Sequence, residues 1–409
     1  MAEKDIVEKL SDPEVWDSFF RYKKEGGHMT RREEEALVAF IRDREYLGPA
    51  ALVRSGGPFP HPSVTVLNKK GSSKKRTVFT FPEAGNNLLK LITWLLGGYD
   101  FIFSDNLYSF RRDTGVKQAM HRLMSTDGIG SMYSYNTDIS DYFNSVSPGL
   151  IIPMLESVLS EKDGRLLAFL KSMLLDPYAE REGEEVVMKK GIMAGAPTSA
   201  FMADLFLADL DRSFAERGIP YARYSDDIIV FAGSAEKIAE YEAEIKNAIH
   251  VLGLSVNESK ERRTSPGEPW EFLGFRSDGR TVDISRTAAE KLKKKMKRKA
   301  KAILRWKERK GATAERAVRT FFRFCRRKLF DNPVHSEITW CRWYFPLINT
   351  DATLKELDGY IRDCARFVAC GRWSTARYSY TAAQLREWGY ANLVNSYYRF
   401  KNGETGKRV

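Results

Sequence analysis

The chain has 409 residues, 43% hydrophobic and 29% charged, an ordinary balance for a soluble globular protein with two or three domains. A formal net charge of +12 points to a polyanionic partner. The four cysteines (Cys325, Cys341, Cys364, Cys370) form no CxxC pair and show no zinc spacing, the opening MAEKDIVEKL is not a signal peptide, and the longest apolar run, LLKLITWLLGG, is broken by Lys90. The expectation is a reduced, soluble, cytoplasmic protein without a membrane partner.

In chain order, residues 1–48 read as a charged helical extension, followed by the Gly/Pro-rich connector LGPAALVRSGGPFPHPS. VTVLNKKGSSKKRTVFTF alternates apolar residues around a basic Gly/Ser tip, which predicts a β-hairpin. Helical patterns run through 84–125, SMYSYNTDIS reads as a strand, and helices fill about 148–175. GIMAGAPTSAFMADLFLADLDRSFAERG predicts a Gly-rich turn entering one long helix. YARYSDDIIVFA predicts a hairpin with Asp226 and Asp227 at its turn, then come a helix at 235–252 and a short strand pair around EFLGFRSDGRTVDIS. From 287 onward the pattern is helical almost to the end. Residues 291–310 hold twelve Lys/Arg against one Glu, while Leu292, Met296, Ala300, Ile303 and Leu304 fall at helical spacing. One face of that helix can pack while another stays basic.

Two adjacent aspartates between apolar strands are as compatible with a solvated turn as with chemistry. A third acid decides the matter. SYNTDISDYFNSV places Asp138 at a strand end, with Phe143 five residues on. If that strand lies beside the hairpin, three carboxylates share one site. Carboxylates about 4 Å apart repel by roughly 4 kcal/mol at an effective dielectric near 20, and a divalent cation between them reverses the sign. Oxygen-only ligation suits Mg²⁺ or Mn²⁺, and two such ions serve in-line phosphoryl transfer.

TDISDYFNSV, GIMAGAPTSA, YSDD and FLGF, in this order and spacing, resemble the palm motifs of reverse transcriptases. KKGSSKKRTVF and YSFRRDTG resemble the fingers motifs, so the likeness spans roughly residues 60–280. It implies an α+β right-hand polymerase fold: fingers at 49–130, a palm at 131–286 with a fingers insertion near 150–190, and a helical thumb and C-terminal region at 287–409. The implied activity is RNA-directed DNA synthesis from dNTPs, with two Mg²⁺ ions and a DNA/RNA heteroduplex product.

By the same resemblance Asp138 and Asp226 are metal ligands, joined by Asp227 and the backbone carbonyl of Ile139. Phe143 stands where an aromatic gate excludes a ribose 2′-hydroxyl. Lys69 and Arg76 match a triphosphate-gripping pair, and cations there suit a departing pyrophosphate. Gly191, Gly195 and Pro197 match a turn that brings backbone close to template and nucleotide. Ala194 departs from the Gln that many relatives carry, which alters the expected nucleotide contacts. Lys260 matches a lysine that protonates the leaving pyrophosphate. Arg111 and Arg112 are implied template-phosphate contacts, and Phe272, Leu273 and Gly274 a primer grip. Lys293, Lys294, Lys297 and Lys301 lie in the thumb position, where Lys/Arg density suits nucleic acid.

The chain has neither the Asn-Ala-x-x-His nor the Val-Thr-Gly element of retron enzymes, no C-terminal zinc endonuclease and no RNase H-like acidic set. It most resembles the defence-associated reverse transcriptases of bacterial unknown groups, which implies a structured noncoding RNA as template or scaffold. A group II intron-like or retron-like enzyme, or an idle palm that binds RNA, are the alternatives.

Overall fold

The computed structural model describes residues 5–26, 29–68, 75–330 and 339–404. They divide into two compact units, one within residues 1–26 and 32–266, the other within 27–31 and 267–409. The three-stranded sheet that follows residue 266 therefore belongs with the C-terminal helices.

The first unit opens on helices Pro13–Glu25, Arg31–Arg42 and Leu47–Ser55. Trp16 is fully buried, stacked on Tyr46 at 5.0 Å and edge-on to Phe40 at 5.4 Å. The stretch read as a Gly/Pro-rich connector is half helical. Pro49 sits in the first turn, where its missing N–H costs nothing, and the helix stops at Gly56 in the left-handed conformation.

Strands β1 (Ser63–Asn68) and β2 (Lys75–Thr80) form the expected hairpin, whose tip lies outside the described residues. β1 also pairs in parallel with β4 (Tyr178–Arg181), which turns back into β5 (Glu184–Val187). The sequence reading had missed that second hairpin. Its only signal is a weak alternation around Glu182–Gly183, both at positive φ.

The central sheet has the order β6–β7–β3–β8, with β3 Tyr133–Asp138, β6 Tyr221–Tyr224, β7 Asp227–Ala232 and β8 Arg262–Thr264. Ile228, Ile229, Val230 and Phe231 in β7 are all fully buried, so both faces of this strand are covered. The helix expected after the Gly-rich turn is broken at Leu207 into Ser199–Phe206 and Ala208–Glu216.

In the second unit β9 (Trp270–Phe272), β10 (Phe275–Ser277) and β11 (Val282–Ile284) make an antiparallel sheet of three strands, one more than the sequence pattern suggests. Helices Arg286–Lys310, Ala314–Leu329 and Ala352–Cys370 pack on one another. Ala289, Leu292, Met296, Ala300 and Ile303 are the buried stripe of the first of these.

Candidate active site

β6 and β7 are joined by the two residues Ser225 and Asp226, with Tyr224 and Asp227 in register. Ser225 has a φ of 58°, the positive value needed at the first loop position of a tight hairpin and one that serine rarely adopts. Three bonds fix the tip. The Ser225 amide donates to Ser109 Oγ at 2.9 Å, its carbonyl accepts from Arg223 at 3.2 Å, and the Asp226 carbonyl accepts from the Ile139 amide at 3.1 Å.

β3 lies against β7 with Asp138 opposite Asp227. Asp138 is only 6% exposed and accepts from Asn257 Nδ2 at 3.1 Å and from the Lys260 ammonium. Burial, and next the negative charge of Asp138, push the Asp226 carboxyl above the usual carboxylate range. Asp138 and Asp226 therefore repel across a shielded space, which is where an oxygen-coordinated divalent cation is favoured. Carboxylate oxygens are the donor type that Mg²⁺ and Mn²⁺ take. Among the described residues, no group of three or more His, Cys, Asp or Glu side chains is arranged to hold a metal.

The hairpin rests on a buried ionic network. Arg223 and Asp211 are both 0% exposed, with guanidinium–carboxylate contacts at 2.8 Å and 2.5 Å. Tyr221 donates to the same carboxylate at 2.9 Å, and Arg223 also reaches the Asp204 carbonyl at 2.9 Å. The Asp204 carboxyl, 3.8 Å from Arg223, is pushed up to about 8, chiefly by burial. One guanidinium thus faces two buried carboxyl groups, bonding closely to Asp211, while burial favours the protonated form of Asp204.

Phe143 is half-buried, edge-on to Tyr142 at 5.7 Å and to Phe110 at 6.3 Å. Phe110, at a φ of 53° and 49% exposed, also lies 6.4 Å from Tyr224. An aromatic cluster thus stands beside the hairpin, and Phe110 is a member that sequence reasoning missed.

Gly191 and Gly195 make their closest approaches to protein rather than to open space. A Cβ on Gly191 would lie 2.5 Å from the Phe143 carbonyl, and one on Gly195 would lie 2.7 Å from the Phe79 carbonyl. The Ala194 carbonyl accepts from the Phe79 amide at 2.8 Å, and its amide donates to Asn144 Oδ1 at 3.1 Å. This turn is bonded to β2 and to the short helix Tyr142–Ser145, with Pro197 half-buried beyond it. Asn144 and Asn257 escaped the sequence reading because isolated asparagines carry no pattern.

Arg76 is exposed on β2, and Lys69 lies outside the described residues. Arg111 donates to the Ser104 and Leu107 carbonyls at 2.9 Å and 3.1 Å, and Arg112 lies 5.0 Å over the Trp94 ring. Both therefore brace the 97–115 loop in this structure.

In the second unit Phe272 is buried, and Leu273 and Gly274 turn β9 into β10 at φ values of 51° and 88°. On helix Arg286–Lys310, Lys294 and Lys301 are exposed. Lys293, expected to be exposed, is held by Glu290 at 2.7 Å and by Glu356, and Lys297 lies 5.7 Å over Trp373. Six exposed cations, Lys291, Lys294, Arg298, Lys301, Arg305 and Arg309, recur every three or four residues opposite the buried stripe, and Arg286, Lys297 and Lys310 are exposed beside them.

Residues 67–277, just over half of the chain, match the family described as reverse transcriptase (RNA-dependent DNA polymerase). The protein belongs to that family, and membership carries the general activity of nucleotidyl transfer. A curated relative is the retron Ec86 reverse transcriptase of Escherichia coli, 24% identical over 239 residues that cover 57% of this chain and 68% of the relative. The relationship stands although two elements expected of retron enzymes are absent.

Among solved structures, an apo telomerase from Candida tropicalis, truncated from its C-terminal domain, aligns at 11% identity and a TM-score of 0.44. The match covers 60% of each chain. The telomerase of Candida albicans with a fragment of telomeric RNA aligns at the same identity and TM-score, covering 86% of this chain and 67% of its own. At these scores neither structure bears on function. No helix among the described residues is long and apolar enough to cross a membrane.

Proposed function

We propose that this protein is an RNA-directed DNA polymerase that adds dNTPs to a 3′ end, with residues 49–130 as fingers, 131–286 as palm and 287–409 as thumb. The observation that carries this reading is the closeness of buried Asp138, at the end of β3, to half-buried Asp226, at the tip of the β6–β7 hairpin. Those two carboxylates, with Asp227 and the Ile139 carbonyl, would hold two divalent ions. When bound, such ions activate a 3′-hydroxyl and neutralise charge on the transferred phosphoryl group.

The chain's own residues do the rest. The Ser109 and Arg223 bonds fix the tip, so the carboxylates need little reorganisation when charge develops. Phe143, braced by Tyr142 and Phe110, presents a ring that fills the space of a ribose 2′-hydroxyl. Arg76, exposed on β2, and Lys69 grip the triphosphate. The Lys260 ammonium neutralises Asp138, yet half of its side chain is exposed and able to meet a phosphate. Gly195 and Pro197 hold the turn that shapes the nucleotide side of the site, while Phe272–Gly274 grip the primer.

The reading extends to a structured noncoding RNA as template or scaffold, held partly by the exposed lysines of helix Arg286–Lys310, and to a role in bacterial antiphage defence. The kinship with a retron reverse transcriptase favours a second, narrower reading as a retron-like enzyme. Primer extension on an RNA template tests the shared core. Wild-type protein should extend with dNTPs and Mg²⁺, while Asp226→Ala should not. Equal extension by both, or by neither, leaves only an RNA-binding palm. Sequencing the RNA and DNA that copurify separates the two readings: a hybrid of the RNA and its own DNA copy is the retron-like outcome.

A further inference from the structure

Helix Ala314–Leu329 carries a second cationic surface that no motif had marked. Arg316, Arg319, Arg323, Arg326 and Arg327 are all exposed and lie on one side of the helix, opposite Val318, Phe321 and Cys325 in the core. At 100° per residue they fall within an arc of about 100°, and Arg316 to Arg326 spans about 15 Å. The stripe forms one wall of a groove of ≈ 440 Å³, and Trp388 and Gly389 form the other. Trp388 is half-buried and braced by Tyr380 at 5.8 Å.

A solvated helix face is the plain alternative, and three features count against it. Every cation in the stripe is arginine, whereas the exposed stripe of helix Arg286–Lys310 mixes lysine and arginine evenly. Arginine's planar fork binds phosphate bidentately and stacks on bases, which solubility does not require. Charge compensation is also thin. Glu315 engages Arg319 at 2.7 Å and Thr320 accepts from Arg323, but among the described residues no carboxylate pairs with Arg323, Arg326 or Arg327. Finally, the wall opposite the stripe is an indole. A cationic track beside an aromatic platform is the arrangement that holds single-stranded nucleic acid.

We propose that this groove binds a single-stranded RNA segment distinct from the template–product duplex, with successive phosphates on Arg316, Arg319, Arg323 and Arg326 and an unpaired base on Trp388. The 15 Å run matches roughly four phosphates of a strand in helical geometry. The proposal rests on the reading of the protein as an RNA-dependent enzyme, but its test needs no catalysis. The groove gives the enzyme a place to retain its RNA while the copied part moves through the polymerase site.

The test uses full-length protein, a labelled 12-nucleotide single-stranded RNA and a labelled RNA/DNA heteroduplex of equal length, each titrated by fluorescence anisotropy over a salt series. Arg319→Gln/Arg323→Gln/Arg326→Gln should weaken single-strand binding by about tenfold or more and reduce the log–log salt slope by about 2. Trp388→Ala should weaken it by about five- to tenfold with the slope unchanged. Heteroduplex affinity should stay at the wild-type value in both variants. Unchanged single-strand binding would make the stripe a solvated face. An equal loss of heteroduplex binding would assign the groove to the product duplex, and preferential binding of a 12-residue oligoglutamate would assign it to an acidic protein. Any of these overturns the proposal. A wild-type protein that binds the single strand here but fails primer extension would sink the polymerase reading and leave the groove standing.

Discussion

The β6–β7 hairpin and helix Arg286–Lys310 hold charge in opposite ways. At the hairpin negative charge is wholly or partly withdrawn from water: buried Asp138 acts on half-buried Asp226, and one buried guanidinium is bonded to Asp211, to backbone carbonyls and to the Ser225 tip. On the helix positive charge is exposed along one stripe. Chemistry at a phosphoryl group needs donors held in place, because their worth depends on being preorganised. Retention of a polyanion needs charge density only, because each neutralised phosphate adds a similar increment. Single substitutions should therefore act all-or-none in the first region and by degrees in the second.

The largest effect is expected at the hairpin. Asp226→Asn should lower nucleotide incorporation by about three orders of magnitude or more, since it removes half of the paired-carboxylate site. The same change removes a buried like-charge repulsion, so the melting temperature should hold or rise. Loss of activity together with loss of fold would show that the pair is structural.

Next in size is the ionic floor. Arg223→Met leaves Asp211 buried and unpaired, and should cost about 3–5 kcal/mol in urea unfolding. Arg305→Met, on the exposed stripe, should stay within about 0.5 kcal/mol of wild type. Similar costs at both sites would break the contrast.

Asp204 sharpens it through pH. Its folded-state pKa of about 8 lies above the ordinary carboxylate value, so the stability it contributes is fully present below about pH 4 and is lost as pH rises through 8. Asp204→Asn should flatten the fall in stability across that window, as read by melting curves from pH 4 to 9.

A smaller change is expected at Phe143. Shortening the ring in Phe143→Val should raise rNTP use relative to dNTP by about tenfold on one template, an effect of about 1.4 kcal/mol. An unchanged ratio would return Phe143 to a packing role beside Tyr142 and Phe110.

The smallest single effects belong to the basic helix. Replacing Lys291, Lys294, Arg298 and Lys301 by Gln one at a time should each lower the salt slope of RNA binding by about 0.7–0.9, cumulatively. Lys293→Gln should leave that slope nearly unchanged, because its amine is held by Glu290 and Glu356. A Lys293 effect equal to that of Lys294 would mean that those ion pairs open on binding.

Much of the chain was legible before any coordinates. Period-two patterning gave β1, β2, β3 and the β6–β7 hairpin with Asp226 in its turn, and helical spacing gave the buried face of Arg286–Lys310. The order of TDISDYFNSV, GIMAGAPTSA and YSDD supplied the family. Other features were hidden because they depend on partners distant in sequence. Nothing in YARYSDD announces that Arg223 is fully buried, since its partners Asp211 and Asp204 lie on a helix pair 12 and 19 residues away. The close approach of Gly191 to the Phe143 carbonyl and of Gly195 to the Phe79 carbonyl was likewise hidden, because those partners lie 48 and 116 residues away in sequence. No local pattern shows that Arg111 bonds to the Ser104 and Leu107 carbonyls or that Arg112 reaches the Trp94 carbonyl.

By itself, then, the sequence determined which residue types sit at which local periodicity: acids at a hairpin tip, a strand ending in Asp138, and helices rich in Lys and Arg. Only the tertiary structure decided which charges are spent on the protein itself. Lys293, Arg111 and Arg223 are as basic in sequence as Lys294, Arg76 and Arg326, yet the first three are bound to carboxylates or carbonyls while the others stand exposed. A charge's role depends on its solvation and its nearest opposite partner, and both are set by long-range packing that no local pattern encodes.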